Sequence, residues 1–144
     1  MSVNSERLKK LTELGQSIWY DNISRDLIED GSLKRLIDNG VRGLTSNPSI
    51  FEKAVSGSSI YDEDILSCNP EDFSDLDVYE RLAVKDIQSA ADLLQPIYLS
   101  SGRTDGFVSL EVNPHLANIL TSLHFIGFML SSFFPILKSN SLIK

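Results

Sequence analysis

Apolar residues along the chain alternate between two spacings. Leu8, Leu11 and Leu14 recur at helical spacing, and Ser5 stands where a helix cap is favoured, with Gly15 to stop the helix. Ser17 to Asp21 then reads as a short buried strand ending in an acid, followed by a polar turn and a helical turn over 25–29. Ser32 caps a helix through Asp38 that Asn39-Gly40 ends. Val41 to Leu44 is a second strand, and it runs into the polar knot Thr45-Ser46-Asn47 and then Pro48. Asn47 is a good N-cap and Pro48 suits a first helical turn, so strand, cap and helix follow one another. That helix carries Ile50, Phe51 and Ala54 and ends near Gly57; an acid-rich short helix or loop spans 58–68. The longest helical pattern is Leu76 to Leu94, with Leu82, Ile87, Ala90, Ala91 and Leu94 near one face; Pro96 disrupts it and Ser100-Ser101-Gly102-Arg103 closes it. Gly106 to Val112 is a third strand, and Asn113-Pro114 turns the chain toward another helix.

Three strand–helix units in a row predict a parallel sheet and an α/β fold. Each predicted strand ends in polar residues: Asp21, then Thr45 to Asn47, then Glu111. In parallel α/β folds the carboxyl ends of the strands share one side, so these groups are expected to converge.

Charge changes the picture at one place. The net charge is −7, yet residues 119–144 hold only Lys138 and Lys144, which leaves −9 on residues 1–118. An acidic body lacks the basic footprint that nucleic-acid binding needs. Cys68 is the single cysteine, so no disulfide framework forms within the chain, and a reducing, cytoplasmic setting is the expectation. The first residues hold no apolar signal-peptide core. No cluster has metal-ligand spacing, and no P-loop or dinucleotide fingerprint is present.

Each candidate has a structural reading beside its chemical one. Asp21 is either a general acid/base or a turn-forming Asp bonded to its own backbone. Glu111 is embedded in Val-Ser-Leu-Glu-Val, where an unpaired carboxylate is costly to bury. Asn47 is explained by capping alone, and Ser109 lines an interior or packs. Trp19, Tyr20 and Phe107 read as core, and His115 as part of a turn.

Gly43-Leu44-Thr45-Ser46-Asn47-Pro48-Ser49-Ile50-Phe51 and the stretch from Asp105 to Leu116 resemble the second- and third-strand motifs of transaldolases, in their longer bacterial form. Trp19 to Arg25 resembles the first-strand motif, and the resemblance covers about residues 5–118. It implies the first three β/α units of a (β/α)8 TIM barrel. The implied reaction moves a dihydroxyacetone unit between sugar phosphates of the pentose phosphate pathway, from sedoheptulose 7-phosphate to glyceraldehyde 3-phosphate. A lysine Schiff base carries it, so the resemblance implies that no metal or organic cofactor is required. By the same resemblance Asp21 exchanges the proton of the C4 hydroxyl, and Glu111 works through a catalytic water. Asn47 hydrogen-bonds the substrate, with Thr45 and Ser109 beside it.

The resemblance stops after Asn118. Ile119 to Leu137 holds no Asp, Glu, Lys or Arg, and four of the seven phenylalanines lie there. Residues 119–144 are therefore set apart as a non-matching, apolar, helical tail. Leu142-Ile143-Lys144 resembles the start of the family's lysine strand, which makes Lys144 a candidate for the Schiff-base lysine; a tail lysine is the other reading. A transmembrane helix would need such a run, but Pro135, Gly127, His124 and Ser131-Ser132 interrupt it. An out-of-frame or truncated end is the favoured reading. The expectation is an incomplete barrel, inactive and aggregation-prone by itself, since a typical barrel needs ~250 residues. The alternative is a non-enzymatic fragment whose tail associates with membranes or aggregates. Oligomeric state is left open.

Overall fold

The computed structural model of the chain describes residues 3–110. It runs α1 (Val3–Glu13), β1 (Trp19–Tyr20), α2 (Arg25–Glu29), α3 (Ser32–Asn39), β2 (Gly43–Ser46), α4 (Pro48–Gly57), a 3-10 turn (Ser59–Tyr61), α5 (Asp62–Leu66), α6 (Asp75–Ser100) and β3 (Val108–Leu110). The expectations placed on Glu111, Lys144, the end of the third strand and the tail over 119–144 lie outside the described residues.

The three strands form one parallel sheet in the order β1-β2-β3. Tyr20 pairs with Leu44, and Leu44 with Val108. Side chains alternate across a strand, so these three share a face. On that face Leu44 and Val108 are buried, in one cluster with Leu33 and Ile37 of α3, Phe51 of α4 and Leu82, Ile87, Ala90 and Leu94 of α6, while Tyr20 packs against its edge. This is an α/β fold with helices packed against a parallel sheet. Among the described residues no helix is long and apolar enough to cross a membrane.

The strands differ from the predicted ones for local reasons. The second strand begins at Gly43 rather than Val41 and runs two residues further, to Ser46. Val41 still belongs to the end of α3: its N–H donates to the Leu36 carbonyl at 3.0 Å, beside Gly40 at φ 120°. The first strand shrinks to Trp19 and Tyr20, because only these pair in register, with Gly43 and Leu44. Trp19, expected in the core, is 40% exposed. Its ring lies across Gly43, where an added Cβ would stand 2.4 Å from it, on the sheet face away from the helices.

Two expected caps are also displaced. α1 begins at Val3, so Ser5 lies inside the helix. α3 is capped by Gly31 at φ 74°, and Ser32 is its first residue, with its N–H and hydroxyl both donating to the Asp30 carboxylate. The longest helix ends where Ser100 to Arg103 was expected to close it, and the disruption expected at Pro96 does not break it. α6 passes through Pro96 to Ser100. Proline removes a single ladder bond, and the turn beyond it is held from outside. Ile97 packs against the core, and the Tyr98 ring meets Phe107 edge-on with centroids 5.5 Å apart. At its other end Ser74 and Asp77 form a reciprocal capping box.

Candidate active site

The carboxyl ends of the strands bring three of the sequence candidates into a row. Thr45 pairs with Ser109 across β2 and β3. One step past the Tyr20–Leu44 pair, Asp21 reaches Thr45, whose hydroxyl donates to Asp21 Oδ1 at 2.5 Å. By alternation these residues sit on the face opposite Leu44 and Val108. Asp21 is exposed, and Thr45 and Ser109 are half-buried.

Asn47 follows two residues after Thr45, where β2 hands over to α4. Its backbone is extended, at φ −108° and ψ 120°, and Pro48 opens the helix. Its Oδ1 accepts from the N–H groups of Ser49 at 3.0 Å and Ile50 at 3.3 Å. Both are orphan donors of the helix start. That bond fixes the side chain, and its Nδ2 has no partner among the described residues. The capping reading of Asn47 is thus realised in the structure, and an amide donor is left over. Beside Asp21, the buried Oδ1 of Asn22 also lacks a partner among the described residues.

A second polar cluster escaped the sequence reading. Arg25, the first residue of α2, is buried, as are Tyr61 and Asp86. Arg25 Nε donates to Asp86 Oδ1 at 2.9 Å, and Nη1 to Asp64 Oδ2 at 2.5 Å. The Arg25 backbone N–H donates to the Tyr61 hydroxyl at 2.7 Å, which in turn donates to Asp86 Oδ2 at 2.8 Å. The guanidinium also lies 4.5 Å from the Tyr61 ring centre. Lys85 completes the group with 2.7 and 2.9 Å bonds to Asp64.

Burial pushes the Asp86 carboxyl above its ordinary value, against the pull of Tyr61, Arg25 and Lys85. Burial opposes the charge on Arg25 too, but Asp86 and then Asp64 outweigh it and raise its pKa. Asp64 is lowered by its bond to Lys85 first; burial works against this, and Arg25 adds to it. Burial drives the Tyr61 phenol well above its usual range, so it remains a donor to Asp86. One signal could have exposed this cluster. Asp86 lies between Leu82, Ala83, Ile87 and Ala90 on the apolar stripe of α6, where a carboxylate demands a partner.

Among the described residues no three His, Cys, Asp or Glu side chains are grouped so as to hold a metal ion.

Comparison with known proteins matches residues 18–144 to the transaldolase/fructose-6-phosphate aldolase family. The match runs past Asn118 to the last residue. A protein named Transaldolase 2 from Nostoc punctiforme is 44% identical over 117 residues, which are 81% of this chain and 31% of that relative. Transaldolases from Trichodesmium erythraeum and Thiobacillus denitrificans are 46% and 47% identical, over 78% and 76% of the chain and 30% and 31% of their own lengths. The chain thus spans about a third of the length of these relatives.

Proposed function

Since the chain belongs to the transaldolase/fructose-6-phosphate aldolase family, we propose that residues 1–118 are the first three β/α units of a (β/α)8 barrel that transfers a dihydroxyacetone unit between sugar phosphates. The donor is sedoheptulose 7-phosphate and the acceptor glyceraldehyde 3-phosphate. The observation that carries this reading is the row of Asp21, Thr45 and Ser109 at the carboxyl ends of three adjacent parallel strands. Barrel enzymes keep their chemistry at that edge.

In the proposed mechanism a lysine forms a Schiff base with the ketose carbonyl, which makes the C3–C4 bond breakable. Asp21 takes the proton of the C4 hydroxyl as that bond breaks and returns one to the acceptor. The Thr45 hydroxyl holds the carboxylate in place. Asn47 donates from its spare Nδ2 to substrate hydroxyls, and Ser109 lines the same face. Glu111 acts through water while the Schiff base forms and hydrolyses. Lys144 is the candidate for the lysine within this chain. By itself the chain is proposed to be inactive.

The test is a graft. Residues 18–110 replace the matching segment of the Trichodesmium erythraeum transaldolase, and dihydroxyacetone transfer is measured. Turnover is expected to survive, and Asp21→Asn in the graft to lower it by about 100-fold or more, the size of a lost acid/base group. Unchanged turnover in Asp21→Asn sinks the reading. Borohydride reduction of the ungrafted chain with the ketose phosphate is expected to label no lysine; a labelled Lys144 would overturn the proposed inactivity and identify the nucleophile.

A further inference from the structure

Accepting the reading of Asp21 as the proton-exchanging carboxylate, on which this inference rests, we propose that Arg25 is its positioning residue, with Tyr61 and Asp86 as the frame that holds Arg25. β1 has two residues, so the ladder restrains Asp21 weakly. Beyond Asp21 the chain is held in quick succession. Ile23 is 1% exposed in the core, and Ser24 caps α2 by accepting from the Leu27 N–H. α2 has five residues, too few to hold its own start without tertiary contacts. Arg25 supplies those contacts.

Its backbone N–H is one of the orphan donors of a helix start, and the hydroxyl that accepts it lies 36 residues further along the chain. Its side chain spans α5 and α6 at once, through Asp64 and Asp86. The same Asp86 accepts from Tyr61, so the backbone and the side chain of Arg25 are tied to one carboxylate. α6 then leads into β3, which carries Ser109. One helix therefore anchors both the loop that bears Asp21 and the strand that lies two places from it. Removing one member of a buried ion pair leaves the other unpaired, so the loop would lose its anchor while α2 and the sheet keep their apolar contacts.

The experiment is amide hydrogen exchange on the full chain, with 13C observation of the Asp carboxyls. In Arg25→Gln, amides 22–25 are expected to exchange about tenfold faster, while those of α3 stay within twofold of wild type. The Asp21 carboxyl resonance should move and that of Asp38, on α3, should not. Arg25→Lys keeps the charge but cannot reach both carboxylates, and it should fall between. Should Arg25→Gln fail to fold, Tyr61→Phe decides. It keeps the ring and the Arg25–Asp86 pair but removes the hydroxyl, and about threefold faster exchange confined to 22–25 is expected. Uniform acceleration along the chain, or none, overturns the proposal. Failure of Asp21→Asn to affect turnover in the graft would sink the catalytic reading of Asp21 and leave the exchange result to judge the anchor.

Discussion

Thr45 donates its hydroxyl to Asp21 across the β1–β2 boundary, so the neighbouring strand orients the carboxylate that the loop after β1 carries. Thr45→Val keeps the branched shape that suits a strand and removes the donor. It is expected to cost about 1 kcal/mol or less, because Asp21 is exposed to water. In the grafted enzyme turnover should fall about tenfold, with Thr45→Ser near wild type. Equal losses in Val and Ser variants would remove the hydroxyl from the argument.

Asn47 carries two jobs on two atoms, and a pair of variants separates them. Asn47→Asp keeps an oxygen for the Ser49 and Ile50 N–H groups and lacks the amide donor. Its stability should match wild type, since Asp and Asn cap equally well. Asn47→Ala loses the cap as well, at about 1 kcal/mol. Chemical denaturation reads the first difference and turnover of the graft the second. Full activity in Asn47→Asp would reduce the residue to a cap.

Gly43 and Gly106 each exclude a side chain, for different reasons. At Gly43 a methyl group would strike the Trp19 ring. Gly43→Ala should displace the indole and cost about 1–3 kcal/mol. Trp19 is the sole tryptophan, so its emission reports the movement directly. At Gly106 the φ is +83° and an added Cβ would lie 2.5 Å from the Tyr98 backbone nitrogen, which cannot move aside. Gly106→Ala should therefore be the worse of the two. Gly15→Ala, with φ +80° and open space around it, should cost only about 1 kcal/mol. A different ranking of denaturation midpoints would refute this.

The carboxyls set opposing pH dependences. Asp64 is held below its ordinary value of 3.8, so it favours folding above that value. That contribution is lost as the pH falls through the lower folded value. Asp86 is raised, so its ionisation opposes folding, and acidification through its folded value relieves the cost. Acidification from pH 7 should first add stability, as Asp86 takes up its proton above 3.8, and then remove it below 3.8 as Asp64 does. Urea midpoints measured from pH 7 to 3 should show a shallower acid limb in Asp64→Asn than in wild type. An identical limb would contradict the assignment.

The alternation of strand and helix patterns made the parallel sheet legible, because period-2 and period-3.6 stretches are both strong in this chain. Asp21, Thr45 and Asn47 could be picked out because polar residues stood where predicted strands end, whereas Ser109 lay within its predicted strand and came in through the resemblance. The strand limits were not legible. Val41 looks like a strand residue, but its N–H serves the end of α3, and nothing in its type reveals that. Trp19 looks like core, and its exposure follows from Gly43 opposite it, a pairing that depends on register. The Arg25–Tyr61–Asp86 cluster joins residues 25 to 61 apart in sequence. Only the buried place of Asp86 on α6 hinted at it.

The register also imposes an order in time. Tyr20 and Leu44 are 24 residues apart, while Leu44 and Val108 are 64 apart. Closing the longer loop costs about 0.9 kcal/mol more in chain entropy. It also waits for α6 to emerge and form. The two edges of β2 should therefore be filled in sequence, β1 first. Two amides tell them apart: Arg42 N–H bonds the Ile18 carbonyl on one side, and Leu44 N–H bonds the Phe107 carbonyl on the other. Pulse-labelled exchange during refolding should find Arg42 protected before Leu44. Protection in the reverse order would mean that α6 and β3 recruit the centre of the sheet and that β1 joins last.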